Sequence, residues 1–257
     1  DGIAEVRAGA TLLYDSDPEA EEAETLLKAS ALLDAIRRDD APAMQEAGPA
    51  PMPGRGRRVL FIDHRDSFVH TLAGYVRATG AEVTTLRAGF DPALIERIAP
   101  DLAILSPGPG RPEDFDVSGT VRELLKRGIP VFGVCLGLQG IVEHFGGTLS
   151  VLETPVHGKP SEVRASKTPL FEGLPETFTA GRYHSLYADR AALPDCLTVT
   201  AETEDGIDMA VEHATLPVSA VQFHPESIMS FGERAGQRLI ENVVSGLSAG
   251  PGRTEAA

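Results

Sequence analysis

The stretch PVFGVCLGLQGIVEHF, residues 130–145, places one cysteine among glycines between an apolar run and a periodic segment. Pro130–Val134 shows no alternation of polar and apolar residues, which is typical of a strand buried on both faces. Beyond it the apolar residues recur at spacings of three and four, the pattern of a helix face: Leu138, Ile141, Val142 and Phe145. The stretch therefore predicts a strand, a tight turn at Cys135 and a helix.

The same order of strand and helix repeats on the N-terminal side of this stretch. The predicted strands are RVLFID (58–63), Glu82–Leu86 and Leu102–Leu105, and the predicted helices contain Phe68–Val76, Pro92–Ile98 and Val121–Leu125. Apolar strands that alternate with helices predict an α/β fold, doubly wound, in which flanking helices cover a mostly parallel central sheet.

The pattern changes after Gly147, where predicted strands follow one another without helices. These strands are Thr148–Leu152, Glu162–Ala165, Phe178–Ser185, Leu197–Ala201, Met209–His213 and Val218–Phe223. A last helix carries Leu239, Ile240, Val243 and Val244. The second half is therefore predicted to be an antiparallel, strand-rich part of the fold.

Composition limits the function classes. The chain has 257 residues, 42% of them hydrophobic, and a net charge of −15. This charge argues against nucleic acid or an anionic membrane as a partner, since both attract clusters of Lys and Arg. Two cysteines do not make a disulfide scaffold, and we expect a reduced, cytoplasmic setting in which a thiol can be kept for its reactivity.

Composition also divides the chain. Residues 1–40 are acidic and contain one predicted helix, residues 41–57 have the Pro, Gly and Ala content of a linker, and residues 58–247 form the predicted α/β domain. Residues 248–257 are expected to be a flexible tail. Because the chain does not begin with Met, we expect it to be a piece of a longer protein.

Cys135 is a candidate nucleophile. It would stand on a sharp turn from a strand to a helix, at the carboxyl end of the strand, where doubly wound sheets bind ligands. The positive end of the helix dipole favours a thiolate there, and glycines at 133 and 137 suit a crowded turn. An inert, buried cysteine with glycines for packing is the alternative, and the local sequence favours neither.

A thiol nucleophile needs a base and a group that orients the base. AVQFHPES (220–227) follows a buried-strand run, and Pro225 ends central-strand pairing. His224 and Glu226 are two residues apart, so an extended chain would direct both side chains to the same side. A surface histidine beside a turn glutamate is the alternative, and His184 in RYHSL is the nearest rival as a base.

Acyl transfer also needs hydrogen-bond donors for an oxyanion. The loop LSPGPGRP (105–112) follows another predicted strand, and its glycines Gly108 and Gly110 allow backbone N–H groups to approach a ligand. A second donor would be the N–H of Leu136, directly after the nucleophile. Taken alone, this loop also fits an ordinary Pro/Gly turn.

Together, SPGPGRP, GVCLGLQG and AVQFHPES resemble the motifs of the class I, triad-type glutamine amidotransferases over roughly residues 58–247. The resemblance implies that Cys135 is the nucleophile, His224 the base and Glu226 its orienter. It further implies that Gly108 and Leu136 supply oxyanion donors. Gln139 and the backbone of Ser185 and Leu186 would hold the amino-acid end of L-glutamine, with Gly110 lining the pocket.

RYHSLYAD, HGKPS and QFHPESIMS resemble the branch of this family that serves chorismate-using synthases, and residues 1–40 resemble the C-terminal tail of a chorismate-binding synthase domain. The fused arrangement is similar to that of bacterial anthranilate synthases. It implies glutamine hydrolysis, with ammonia passing to a synthase domain of the same longer chain for anthranilate and tryptophan biosynthesis. Whether the protein is a homo-oligomer is left open.

The resemblance implies no cofactor in the amidotransferase part and Mg²⁺ in the synthase part, where Glu21 and Glu24 would be ligands one helical turn apart. A solvated, acidic start of a helix is the simpler interpretation of these carboxylates. Three other functions stay open: an amidotransferase for aminodeoxychorismate or a phenazine precursor, a stand-alone γ-glutamyl thiol hydrolase, and a non-catalytic docking domain.

Overall fold

A computed structural model describes Glu22 and residues 52–230 and 232–247. The chain divides into two units, Asp1–Ala50 and Pro51–Ala257, and the sheet, its helices and the candidate site all lie in the second. Apart from Glu22, the predicted synthase tail over residues 1–40 lies outside the described residues, including its carboxylates Glu21 and Glu24. Most of the linker and the tail over residues 248–257 also lie outside them. The domain boundaries therefore stay predictions.

The described residues contain nine strands in one sheet and five helices. The strands are β1 (Arg58–Asp63), β2 (Glu82–Arg87), β3 (Leu102–Leu105), β4 (Val131–Val134), β5 (Leu149–Ala165), β6 (Thr177–Ala188), β7 (Leu197–Thr203), β8 (Asp208–His213) and β9 (Val218–Val221). The helices are α1 (Val69–Ala78), α2 (Ala93–Ile98), α3 (Val117–Lys126), α4 (Leu136–His144) and α5 (Ala235–Gly246).

The sheet has the order β2-β1-β3-β4-β9-β8-β7-β5-β6. From β2 to β9 all neighbours are parallel, and from β9 to β6 all are antiparallel. The predicted fold class, a mostly parallel doubly wound sheet followed by an antiparallel half, is confirmed. The next strand along the chain, β2, lies on one side of β1, whereas β3 lies on its other side. Ligands of such sheets bind at the carboxyl edge, near the point where the strand order changes direction.

Two apolar layers cover the two faces of the parallel strands. One layer contains the buried faces of α1 and α5, and the other those of α2, α3 and α4. Every residue of β3, β4 and β9 is buried, as their unbroken apolar sequences predict. Among the described helices, none combines the length and apolar character needed to cross a membrane.

Two strand predictions differ from the structure. The predicted strands Thr148–Leu152 and Glu162–Ala165 are the two ends of one long strand, β5, whose pairing with β6 shifts register twice between them. β9 ends at Val221, two residues earlier than predicted. Beyond Val221 the backbone leaves β4: the N–H of Gln222 donates to Met209 O of β8 at 2.8 Å, and the N–H of His224 donates to Gly181 O of β6 at 2.9 Å.

Candidate active site

Cys135 forms the turn between β4 and α4. Its backbone has φ 53° and ψ −103°, in the positive-φ region that residues with a Cβ rarely adopt. Its N–H donates to Val221 O at 2.8 Å, which ties the turn to the end of β9. Cys135 is buried, and both cysteines of the chain are free thiols. A strained turn held on a neighbouring strand is the arrangement that presents a nucleophile at a sheet edge.

Glycines beside the turn allow α4 to start close to the sheet. A Cβ on Gly133 would lie 2.6 Å from the carbonyl carbon of Gly137, and a Cβ on Gly137 would lie 2.6 Å from Leu105 O. Both distances are shorter than real Cβ contacts, so larger residues would push the helix away from β3 and β4. The glycines of GVCLGLQG therefore serve packing and the presentation of Cys135 together.

Hydrogen bonds to its backbone hold His224 in place after the end of β9. Besides its N–H bond to Gly181, its carbonyl accepts a hydrogen bond from Ser230 Oγ at 2.6 Å, and Ser230 Oγ accepts from the N–H of Gly181 at 2.9 Å. A Cβ on Gly181 would lie 2.6 Å from Ser227 Oγ, so this close contact needs glycine. Strand β6 and the segment after β9 thus fix the position of the imidazole.

Glu226 binds the imidazole of His224, with 2.8 Å between Oε1 and Nδ1. The prediction that the two side chains meet is confirmed, but the extended backbone from which it was argued is wrong. Residues 225–226 form a turn, and the N–H of Ser227 donates to His224 O at 3.2 Å. The turn brings the carboxylate back to the ring, and both side chains are buried.

The charge state of His224 depends on its two neighbours. Burial lowers its pKa, but hydrogen bonding and charge from Cys135 and Glu226 outweigh burial and hold that pKa well above its ordinary value. Since Nδ1 is taken by Glu226, the proton available for transfer is on Nε2, which has no hydrogen-bond partner in the described part of the chain that satisfies normal geometry. The site therefore favours the imidazolium form of His224.

Two aromatic rings pack against His224. The ring centroid of Tyr183 on β6 is 4.9 Å from that of the imidazole, and the ring centroid of Phe68, directly before α1, is 5.7 Å from it. Both pairs are packed edge to face. Tyr183 OH and Ser227 Oγ are 3.2 Å apart, which fixes the tyrosine. These contacts limit rotation of the imidazole and exclude water from one side of the site.

The loop after β3 reaches Leu136, the residue that follows Cys135. A Cβ on Gly108 would lie 2.7 Å from His64 Cβ and 3.3 Å from Leu136 Cδ1, so this backbone fits between the two side chains. Leu136 is the first residue of α4, and its N–H has no acceptor within the helix. Gly110 has φ 73° and stands beside Asp114, whose Oδ2 accepts from the N–H of Arg111 at 2.8 Å.

Gln139 and the backbone of β6 meet beside Cys135. Gln139 is buried and its Nε2 donates to Leu186 O at 3.1 Å, while the thiol of Cys135 lies 3.9 Å from Tyr183 O. Ser185 Oγ lies 3.3 Å from Nε2 of His157. The structure thus brings together the predicted substrate contacts Gln139, Ser185 and Leu186.

His184, the rival base, is engaged at both ring nitrogens. Nδ1 lies 2.9 Å from Leu186 O, and Nε2 accepts from Arg182 Nε at 3.0 Å. Burial, followed by the charge of Arg182, lowers the pKa of His184 to about 4. A neutral imidazole with both nitrogens occupied has no proton-transfer position to offer.

Sequence reasoning missed three residues of the site: Phe68, Tyr183 and Gln222. The sequence pattern places Phe68 on a helix face, and no role in the site is predicted for Tyr183 or Gln222. Gln222 carried a signal, since it is the one amide in the apolar run before His224 and is two residues from it. The rings carry none, because each contacts His224 from a distant segment of the chain, Phe68 from 156 residues away and Tyr183 from 41 residues away.

A surface cavity of about 570 Å³ is lined by Arg164, Lys167, Arg190 and their neighbours on β5 and β7, and no member of the site lines it. Its arginines are paired with carboxylates: Arg164 with Glu202, and Arg190 with Glu202 and Asp208. The described residues contain no group of three or more His, Cys, Asp or Glu side chains that could hold a metal ion.

Comparison with known proteins identifies the family. The model of the family described as "Glutamine amidotransferase class-I" matches residues 60–245. The chain is 62% identical over 250 residues to the anthranilate synthase of Azospirillum brasilense, which covers 97% of this chain and 34% of that protein, so the chain spans about a third of that relative. It is 42% identical over 185 residues to aminodeoxychorismate/anthranilate synthase component 2 of Bacillus subtilis, covering 71% of this chain and 95% of that protein.

A glutamine amidotransferase structure from Thermotoga maritima shares the fold, with a TM-score of 0.57 and 18% identity, over 74% of this chain and 95% of that one. The chain therefore belongs to the class-I glutamine amidotransferase family.

Proposed function

We propose that the chain is the glutaminase part of an anthranilate synthase and that it hydrolyses L-glutamine through Cys135, His224 and Glu226. The observation that carries this proposal is the site itself. A buried thiol on a strained turn stands beside a histidine whose other nitrogen is 2.8 Å from a buried carboxylate. A nucleophile, a base and an orienting group in this order are the components of acyl transfer by a thiol.

The reaction proceeds in two halves. The Cys135 thiolate attacks the side-chain amide carbon of glutamine, and the oxyanion that forms accepts hydrogen bonds from the N–H groups of Gly108 and Leu136. His224 gives its Nε2 proton to the leaving nitrogen, so ammonia departs and a γ-glutamyl thioester remains. His224 then takes a proton from water, the hydroxide adds to the thioester, and glutamate leaves as the thiolate and imidazolium re-form.

Glutamine is held by its amino-acid end. Both described hydrogen bonds of the Gln139 side chain are donated by Nε2, which leaves the Oε1 acceptor for an ammonium group. The backbone of Ser185 and Leu186, next to the Gln139 side chain, would contribute further polar groups, and Gly110 would line the pocket without a side chain. We propose no cofactor for this part of the protein.

The ammonia is proposed to pass to a chorismate-using synthase domain of the same longer protein. The support is the relative named anthranilate synthase, which aligns with 97% of this chain and is about three times as long as the aligned part. Residues 1–40 would be the end of that synthase domain, and residues 41–57 the linker. Glu21 and Glu24 would then contribute to a Mg²⁺ site whose remaining ligands belong to the synthase domain.

An amidotransferase for aminodeoxychorismate is the second candidate. It is favoured by the name of the Bacillus subtilis relative, which joins both products to one component. The two candidates share every residue of the triad, and they differ in what the synthase makes from chorismate. Separating the products of the full-length enzyme by chromatography distinguishes anthranilate from aminodeoxychorismate.

The test of the nucleophile is Cys135→Ser in the full-length enzyme. Product formation with glutamine should be abolished, while product formation with an added ammonium salt should be retained, because ammonia bypasses the thioester. Cys196→Ser is the matched control, since Cys196 is a half-buried free thiol outside the site, and it should preserve both activities. Equal loss with both nitrogen sources in the Cys135 variant would contradict the proposed role.

A further inference from the structure

Gln222 is a buried amide that the reaction above does not use. It follows β9, is 0% exposed, and its side chain contacts the nucleophile: Nε2 lies 3.5 Å from Cys135 Sγ. At its other end, Oε1 accepts a hydrogen bond from Gln139 Nε2 at 3.3 Å. One carboxamide thus joins the candidate nucleophile to a candidate substrate contact.

The orientation of both amides follows from a single carbonyl group. Leu186 O can only accept, so the amide group of Gln139 that faces it is Nε2. The second N–H of that nitrogen meets Gln222 Oε1, which leaves Gln222 Nε2 directed at the sulfur. Reversing Gln222 would place two nitrogen donors against each other.

The far side of the same carbonyl is held as well. Arg182 Nε donates to His184 Nε2, so the ring proton of a neutral His184 is on Nδ1 and is donated to Leu186 O at 2.9 Å. In one chain of hydrogen bonds, Arg182 donates to His184, which donates to Leu186 O. In the other, Gln139 donates to Gln222, which donates to the sulfur of Cys135. Because all of these side chains are buried, the donors have no water as an alternative partner.

We propose that Gln222 is a positioning residue for the nucleophile: its Nε2–H group holds the sulfur of Cys135 and stabilises it as a thiolate. An N–H donor strengthens when its acceptor becomes an anion, so the contact favours the thiolate over the thiol. The alternative is a core amide that only satisfies Gln139. The use of this contact in glutamine hydrolysis rests on the proposed function, whereas the contact itself does not.

The titratable and charged groups around the thiol are His224, against which Glu226 and the ring of Tyr183 pack, and on the β6 side His184, which contacts Arg182. The variants at position 222 retain all five residues. A changed pH response can then be assigned to the amide at position 222.

The experiment measures alkylation of Cys135 by iodoacetamide over a series of pH values in the complete chain, with Cys196→Ser to remove the other thiol. In Gln222→Met, which has a similar shape and no N–H donor, the midpoint of the profile should move to higher pH. The rate near neutral pH should fall by a factor on the order of 5 to 10, and the plateau at high pH should be unchanged. Gln237→Met is the matched control: this glutamine of α5 donates to Tyr75 O at 3.5 Å, and its loss should leave the profile unchanged.

Gln222→Glu provides the second variant, which keeps the shape and sets a carboxylate against the sulfur. Its midpoint should move further than that of Gln222→Met, because two anions repel. Profiles that coincide with the parent in both variants would overturn the proposal, as would loss of the fold in both, which would make Gln222 a residue of the core. Labelling needs no glutamine turnover: failure of a glutamine analogue to label Cys135 in the parent chain would count against the proposed function alone.

Discussion

His64 stands behind the loop that carries Gly108, at the end of β1. It is 0% exposed, its N–H donates to Ser106 Oγ at 2.9 Å, and its Nδ1 lies 3.1 Å from Ser106 O. Burial lowers its pKa from 6.5 to about 4, against the opposite effects of the Ser106 carbonyl and the charge of Asp63. The folded protein therefore keeps this imidazole neutral under conditions in which the unfolded chain protonates it.

This difference predicts a loss of stability in acid. Between pH 6.5 and about 4 the unfolded state binds a proton at His64 that the folded state does not, so the free energy of unfolding falls as the pH falls. The slope is about 1.4 kcal/mol per pH unit for each such histidine. His64→Asn should make the fall shallower, as measured by urea unfolding over this pH range.

His70→Asn is the control for that measurement, because His70 is an exposed histidine of α1. It should leave the pH dependence of unfolding as it is in the parent chain. His184, with a pKa also lowered to about 4, contributes in the same direction and remains in both variants. If the free energy of unfolding of the His64 variant fell with pH as steeply as that of the parent, the pKa of His64 would not be lowered in the folded protein.

The residues that the sequence predicts for the site are those whose chemistry is local. Cys135 between a strand and a helix, and His224 two residues before Glu226, can be recognised from neighbouring residues. The rings of Phe68 and Tyr183 could not be predicted, since they reach His224 only after α1 and β6 have packed. Gln222 is intermediate: its position was visible, but its contact with the sulfur depends on the pairing of β4 with β9.

At the scale of elements, the start of α5 packs on the turn that joins His224 to Glu226. A Cβ on Gly236 would overlap the carbonyl oxygen of Pro225, the residue between His224 and Glu226. Gly236→Ala should therefore displace this turn and destabilise the fold by on the order of 1 to 3 kcal/mol. Activity with glutamine should fall more than activity with ammonium, as measured in the full-length enzyme together with thermal unfolding.

Gly74→Ala is the matched control in a helix, because a Cβ on Gly74 of α1 would meet no atom within 4 Å. Alanine there should leave both activities intact and stabilise the helix by up to about 1 kcal/mol. The contact between α5 and the turn would be irrelevant to catalysis if the two alanine variants gave the same ratio of glutamine-dependent to ammonium-dependent activity.

Strands whose position depends on local sequence are predicted well, whereas those whose position depends on pairing with distant residues are not. Buried parallel strands such as β3 and β4 are predicted closely, because burial on both faces makes them apolar throughout. For β5 the sequence predicts two separate strands, because its middle, residues 153–161, is largely exposed and contains Pro155 and Pro160. Its pairing with β6 continues across that polar stretch through shifts of register, which no local pattern indicates.

At the scale of the whole molecule, the site joins two halves of one sheet that differ in burial. Cys135 lies at the end of β4, and β3, β4 and β9 are buried at every position. The carbonyls of Tyr183 and Leu186 belong to β6, at the edge of the sheet, whose partner β5 is exposed over much of its length. The candidate nucleophile is thus on the more buried half, and two of the candidate substrate contacts, Ser185 and Leu186, are on the half that contains the more exposed edge.

This contrast predicts the order of amide hydrogen exchange. In the free chain, peptides from the middle of β5 should exchange first and those from β3 and β4 last, because local opening needs little loss of burial at an exposed edge. Covalent labelling of Cys135 with a glutamine analogue should slow exchange in residues 183–187 of β6, where the bound amino-acid end would rest. Exchange in β3 should stay unchanged, since its amides are already protected in the free chain. Mass spectrometry of the free and labelled chains checks both expectations. Slower exchange in β3 with no effect on β6 would place the substrate contacts elsewhere than at Ser185 and Leu186.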